Sequence, residues 1–369
     1  MSTSSQGKGK GKWQKVKESK QEEQRALVNS LPFALPASPR YAVFKSEHPA
    51  NDRPRLSKAA QANLAKAMES RQLINIPHSG AVTHAAIANP RYVAGSDMPR
   101  FAAIRFAKAV SPSHAAELEE LFRDCQSKGL VGKKTAAHGE EFQQIWLGLW
   151  QKYAREPNFT ASSRTTNTKL DAAIRRLMRS VDGAFSRIAQ QLRRIDEPVY
   201  DRSRPLHRHI LHRALDNINN NAEPTVKAMH EYMGMNPDRS NTSLSRIGGL
   251  GSVLAVSTST GGGTAYHYDV GDDELVYSTI VVLKTGGTLY LPEVGYQIQV
   301  KVGDAVSFLA SEQFHKLDVE EDGEQRVYTL WTDRSSRKKA MDPNSSITVP
   351  KDSNSGRDCI VAQEPEEDQ

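Results

Sequence analysis

Cysteine is nearly absent: the 369 residues hold 2, Cys125 and Cys359, far apart and without a C-x-x-C spacing. That excludes a thiolate zinc cluster and argues against a disulfide framework, so a reducing compartment is expected. There is no run of about eighteen apolar residues, and the N-terminus lacks the continuous apolar stretch of a secretory signal. The pattern points to neither a membrane nor export, and an intracellular location is expected. Both ends are poor in aliphatic residues. Residues 1–24 are rich in lysine and 351–369 are rich in Ser, Asp and Glu, so disorder is predicted for tails spanning 1–40 and 335–369.

What is present suffices for a core, since 38% of the chain is hydrophobic. The net charge of +6 is unevenly spread: residues 160–215 carry eleven Arg and one Lys against five acids, and the tail through Arg25 carries seven bases against three acids. Fields of that sign attract polyanions, of which nucleic acid is the commonest inside cells; solvated helix faces would give the same count.

Residues 41–99 carry prolines, a helix-like stretch near 57–71 and little strand signal, so they read as an N-terminal wrap. The next part, 100–240, begins with a strand-like run from Arg100 to Val110; Ser111-Pro112 then supplies an N-cap and a first-turn proline for a helix through Cys125. Helical spacing is read from His138 to Tyr153, through Phe142, Ile145, Trp146, Leu149 and Trp150. It is read again from Leu170 to Ile195, where Ile174, Leu177, Val181, Phe185, Ile188 and Leu192 share one face. After Arg239 the texture changes to short β-branched runs about ten residues apart, S-V-L-A-V-S-T-S, L-V-Y-S-T-I-V-V-L, G-T-L-Y-L, Y-Q-I-Q-V-K-V, A-V-S-F-L, H-K-L-D-V and R-V-Y-T-L-W. Such spacing predicts an antiparallel sandwich or jelly roll over 241–334, and the whole chain reads as α+β with a helical front packed against that core.

Within the core, Gly261-Gly262-Gly263 precede T-A-Y-H-Y-D. On an extended segment alternate side chains share a face, so His267 and Asp269 can point inward together while Tyr266 and Tyr268 point out. Ferrous sites with open positions use two histidines and one carboxylate on one side of the metal. His315, at the head of H-K-L-D-V, is the candidate third ligand. Eleven residues beyond it Arg326 opens the last strand, and its fork of donors suits the far carboxylate of a five-carbon diacid whose other end chelates the metal. A turn histidine beside a carboxylate, a surface His315 and an edge-strand Arg326 are the plainer alternatives.

The ordered set H-Y-D, G-G-T-L-Y-L-P-E-V-G, V-G-D-A-V-S-F-L, F-H and G-E-Q-R-V-Y-T-L-W, over about 244–331, resembles the double-stranded β-helix of Fe(II)- and 2-oxoglutarate-dependent dioxygenases. The resemblance implies His267, Asp269 and His315 as iron ligands and Arg326 as the 2-oxoglutarate clamp. It also implies O2 and 2-oxoglutarate as cosubstrates, with succinate and CO2 released as a C–H bond is oxidised. The order of parts is further similar to fungal-type members of the TET/JBP group, which oxidise methylated bases in nucleic acid. It lacks the cysteine-rich zinc region of the animal members.

That similarity implies a nuclear enzyme acting on a methylated base in DNA, 5-methylcytosine or N6-methyladenine, flipped from the duplex into the site. Gly271, Asp272, Asp273 and Tyr277 are its expected substrate residues, with Tyr290, Tyr296 and Phe314 as pocket aromatics. Phosphate contacts are expected from Arg175, Arg176, Arg179, Arg187, Arg193 and Arg194, and from Arg202, Arg204, Arg208 and Arg213. His207, His209 and His212 form no recognised closed metal site and read as a basic helix face or phosphate contacts. Two other readings stand beside this one: a protein or small-molecule hydroxylase on the same iron site, and a DNA-binding, chromatin-associated module without catalysis.

Overall fold

The computed structural model describes residues 12–31, 41–48, 58–79, 82–135, 142–150, 157–163, 165–203, 206, 207, 210, 249–260, 262–320 and 324–341. Its N-terminal part corrects two expectations. Helix α1 (Lys12–Ser30) lies inside the stretch expected to be disordered. The 41–99 wrap supplies strands β1 (Ala42–Phe44), β2 (Ile74–Ile76) and β3 (Ala85–Ala88) besides helix α2 (Lys58–Glu69). Runs of three or four residues are too short for an alternating pattern to stand out.

Strand β4 (Phe101–Phe106) leads into helix α3 (Pro112–Ser127), where the Ser111 hydroxyl accepts from the His114 amide at 3.2 Å, the cap its sequence calls for. After β5 (Lys133–Thr135) comes the largest correction. Within the region read as a helix over 138–153, the described residues form strand β6 (Phe142–Trp150). Both faces of this segment are apolar, and residues four apart share a face in either conformation, so Ile145/Leu149 and Trp146/Trp150 fit both periods. As a strand it sends Ile145, Leu147 and Leu149 to one buried layer and Trp146 and Trp150 to the other side. Gly148, at φ +111°, allows the neighbouring strand to approach: a Cβ there would stand 2.4 Å from the Ser252 carbonyl oxygen.

Strand β7 (Asn158–Phe159) and a 3₁₀ turn at Ala161–Ser163 precede helix α4 (Thr168–Ile195). The Asn167 carboxamide oxygen caps it, accepting from the amides of Lys169 and Leu170. The six residues expected on its inner face are all buried. The seven strand-like runs appear as β8 (Val253–Thr260), β9 (Ser278–Lys284), β10 (Gly287–Leu291), β11 (Tyr296–Val300), β12 (Ala305–Phe308), β13 (Lys316–Val319) and β14 (Glu324–Trp331). Helix α5 (Arg334–Met341) then occupies the start of the expected C-terminal tail.

The class is α+β. A ten-stranded sheet runs β1-β3-β4-β12-β9-β14-β8-β6-β5, with β7 on β6, and a four-stranded sheet runs β13-β10-β11-β2. Two buried layers flank the large sheet, and β9 shows the division. Val281 and Leu283 meet α3 and α4, whereas Ile280 and Val282 meet residues of the small sheet such as Leu289, Ile298 and Leu317. The space between the sheets holds the site.

Candidate metal centre

His267 and Asp269 belong to an extended segment rather than to a ladder strand. Two backbone hydrogen bonds of 3.0 Å pair His267 with His315, and the Asp269 amide donates to the Ala310 carbonyl at 3.1 Å. Upstream, Thr264 donates to the Leu317 carbonyl. Gly263 is required there, because a Cβ would stand 1.8 Å from that carbonyl oxygen. The expected alternation holds: Tyr266 and Tyr268 turn outward against Phe314, with ring centroids 5.3 and 4.8 Å away.

On the inner side, ligand atoms of His267, Asp269 and His315 all lie within 4.8 Å of one another. The Asp269 carboxylate is 3.6 Å from His267 Nε2 and 3.7 Å from His315 Nε2, and the imidazoles are 4.3 Å apart. Each Nδ1 lies 2.8 Å from a carbonyl oxygen, that of Ala265 or Gln313. A carbonyl only accepts, so Nδ1 carries the proton and the lone pair of Nε2 faces the carboxylate. Burial, reinforced by His315, lowers the His267 pKa to about 4, which keeps its ring neutral at pH 7. Two imidazole nitrogens and one carboxylate, each ring oriented by a carbonyl behind it, fit a first-row divalent ion such as Fe(II). Phe308, 4.8 Å from His315, forms an apolar wall.

The clamp assigned to Arg326 is not where the sequence reading put it. Along β14 the inward row is Gln325, Val327, Thr329 and Trp331, as the membership of Val327 in the inner layer shows, while Tyr328 and Leu330 face α3 and α4. A register irregularity lies between Arg326 and Val327. Arg326 goes to the helix side, its guanidinium 4.3 Å from the Phe122 ring centre and its Nε 3.2 Å from Glu119 Oε1. A one-residue shift in register moves a side chain to the other face.

The expected substrate residues divide. Gly271 and Asp272 stay on the metal loop; Asp272 accepts from Ser278 and is bridged by its backbone to Asp333. Burial, with the neighbouring Asp269 charge, pushes its carboxyl well above the usual range. Asp273 is instead gripped by Arg337 of α5 through contacts of 2.8 and 2.7 Å. Tyr277 lies on the helix side, its hydroxyl donating to Asp196 at 2.7 Å. Tyr296 bonds to Lys45 and Glu47, Tyr290 stands under Lys316 outside the small sheet, and Phe314 is outward-facing core. Tyr290 and Phe314 are outside the inner layer, whereas Tyr296 is a buried member of it. His207 is buried between the Gly249 carbonyl and the Thr332 hydroxyl, so it is neither a basic face nor a phosphate contact; His209 and His212 lie outside the described residues.

The arginines of α4 sit across the large sheet from the metal residues. Arg175 pairs with Asp171, Arg176 with Asp124 and Arg193 with Glu197, Arg187 contacts His114, and Arg179 and Arg194 are exposed. Arg202 donates to the Asp97 carbonyl; Arg204, Arg208 and Arg213 lie outside the described residues. Sequence reasoning did not place Trp331; Trp146 and Trp150, read there as core residues of a helix, join it in a core cluster on the inner side of the large sheet. Trp331 ends the inward row of β14, and Trp146, with Trp150 beside it, packs against it at 5.7 Å. Thr332 and Asp333 follow directly and bond to the metal loop. The signal was available, since counting by two from Val327 reaches Trp331.

No protein-family model and no curated protein matches the chain. Similar solved structures include NgTET1 in complex with 5mC DNA, 12% identical over 76% of this chain and 92% of that one, TM-score 0.43. A viral collagen prolyl hydroxylase from Paramecium bursaria Chlorella virus-1 is 15% identical over 62% and 94%, TM-score 0.28. A prolyl hydroxylase from Trichoplax adhaerens, in complex with a hypoxia inducible factor peptide, is 12% identical over 64% and 86%, TM-score 0.33.

Proposed function

We propose that the two facing sheets form a double-stranded β-helix and that the chain is an Fe(II)-dependent oxygenase using O2 and a 2-oxo acid cosubstrate. The convergence of His267, Asp269 and His315 carries this reading. When bound, the ferrous centre with its cosubstrates supplies the oxidant for an otherwise unreactive C–H bond. The chain's part is to aim two Nε2 lone pairs and one carboxylate at a single point, leave the opposite side open, and keep water off the inner wall with Phe308.

For the substrate, we infer a methylated base of DNA, in the nucleus. A flat, extruded base needs an aromatic surface beside the metal. Trp146 and Trp150, partly exposed and packed on the buried Trp331, offer one beside the end of β14, which directly precedes the residues bonded to the metal loop. Asp272, whose carboxyl burial pushes well above the usual range, adds a polar group on that loop. The protein or small-molecule hydroxylase is the alternative outcome of one experiment. Methylated duplexes are incubated with iron, 2-oxoglutarate and ascorbate, then read by mass spectrometry together with succinate release. Oxidised methyl groups, lost on His315→Ala, are expected. Succinate without base oxidation would turn the reading to the hydroxylase.

A further inference from the structure

The end of the inner space that Arg326 was expected to guard is lined differently. Gln325 is inward, 5% exposed, and its amide nitrogen has no hydrogen-bond partner. That nitrogen lies 3.5 Å from where a Cβ on Gly287 would stand, so it reaches across to the small sheet. There Gly287 pairs with Val319, on the strand that follows His315. The adjoining inward positions of β8 are Ser257 and Ser259, in register with Val327 and Gln325. Ser257 meets the Gln144 amide at 3.3 Å. Arg105, on the inward row of β4, has its donors taken by the carbonyls of Ile76, Pro77, Val82, Thr83 and Gln299. Among the described residues, the unpartnered polar group on these inward rows is therefore a neutral carboxamide.

We propose that Gln325, and not a guanidinium, meets the far end of the 2-oxo acid, so that this chain discriminates weakly between 2-oxo acids with and without a distal carboxylate. This rests on the iron-site reading above. A carboxamide donates to a carboxylate without charge assistance and equally well accepts from an amide or hydroxyl. Charged hydrogen bonds exceed neutral ones by about tenfold in binding, and that preference is missing here. Arg326 serves instead as a structural ion pair with Glu119, packed on Phe122.

The test uses the full chain and begins with Mn(II), followed by its paramagnetic resonance. Binding lost on His315→Ala confirms a metal site, and no binding at all would sink both readings. 2-Oxoglutarate and 2-oxobutyrate are then titrated anaerobically onto the Fe(II)-loaded protein, with the visible charge-transfer band as readout. Wild-type affinities within about tenfold of each other are expected. Gln325→Arg should tighten 2-oxoglutarate by about tenfold or more and leave 2-oxobutyrate unchanged. Arg326→Gln, measured also with Glu119→Gln so that no buried charge is stranded, should leave the ratio as it was. Metal binding with no 2-oxo acid binding would overturn this inference and the 2-oxo acid cosubstrate with it. A wild-type preference for 2-oxoglutarate of about a hundredfold, or its collapse in either Arg326→Gln protein, would overturn this inference alone.

Discussion

Single residues divide into those legible from spacing and those decided by a register. His267, Asp269 and His315 are legible because metal chemistry demands particular residue types and alternation supplies the shared face. Arg326 has the right type at a plausible distance, yet one step along β14 separates the helix layer from the inner space. His207 shows the opposite case, a histidine in a basic run whose surroundings are buried. Its folded pKa is lowered to about 4 by burial, below the 6.5 of an open chain. The unfolded state therefore takes up the proton first. The stabilisation is complete above pH 6.5 and declines as pH falls toward 4, a loss of a few kcal/mol that levels off below. Metal-free protein melted across that range should show the decline, and His207→Gln should flatten it. An unchanged slope in the variant would assign the decline to other groups, His267 among them.

At the scale of elements, the strands from β8 onward were readable because each is short, β-branched and bounded by turn residues. Strand β6 was not, because an apolar residue on both faces removes the contrast that periodicity needs. Helix α5 was invisible for another reason: its role is electrostatic. Arg337 grips Asp273 and Glu274, Arg334 pairs with Glu274, and the Arg334 amide donates to the Gly271 carbonyl. The helix thereby fastens the loop that begins at Asp269. Arg337→Ala leaves a fully buried carboxylate without its cation and should cost about 3 kcal/mol, seen as a lower melting temperature. Mn(II) affinity should fall by about tenfold, as when an outer partner of a metal ligand is removed. Lower stability with unaltered Mn(II) affinity would show that the loop keeps its shape without the helix.

For the whole molecule, the large sheet separates the inner layer that faces the metal residues from α4 and its arginines on the other side. On the proposed reading, a short methylated duplex that reaches the metal side does not need α4. Arg179→Ala with Arg194→Ala should leave its turnover unchanged, measured by base oxidation at low salt, where phosphate contacts count most. A marked loss of turnover would mean that the strand wraps round the sheet edge onto the helix. Among the described residues no helix is long and apolar enough to cross a membrane.

The N-terminal strands carry a consequence for synthesis. β1 and β3 are tied to the large sheet through β4, whose partner β12 lies about two hundred positions downstream, and β2 docks in parallel on β11. A chain emerging from the ribosome can therefore pair β1, β3 and β4 with one another early, while the outer edge of β4 and strand β2 wait until β12 and β11 have been made. Those waiting edges are exposed to other nascent chains for most of translation, and it is late-emerging strands that cover them.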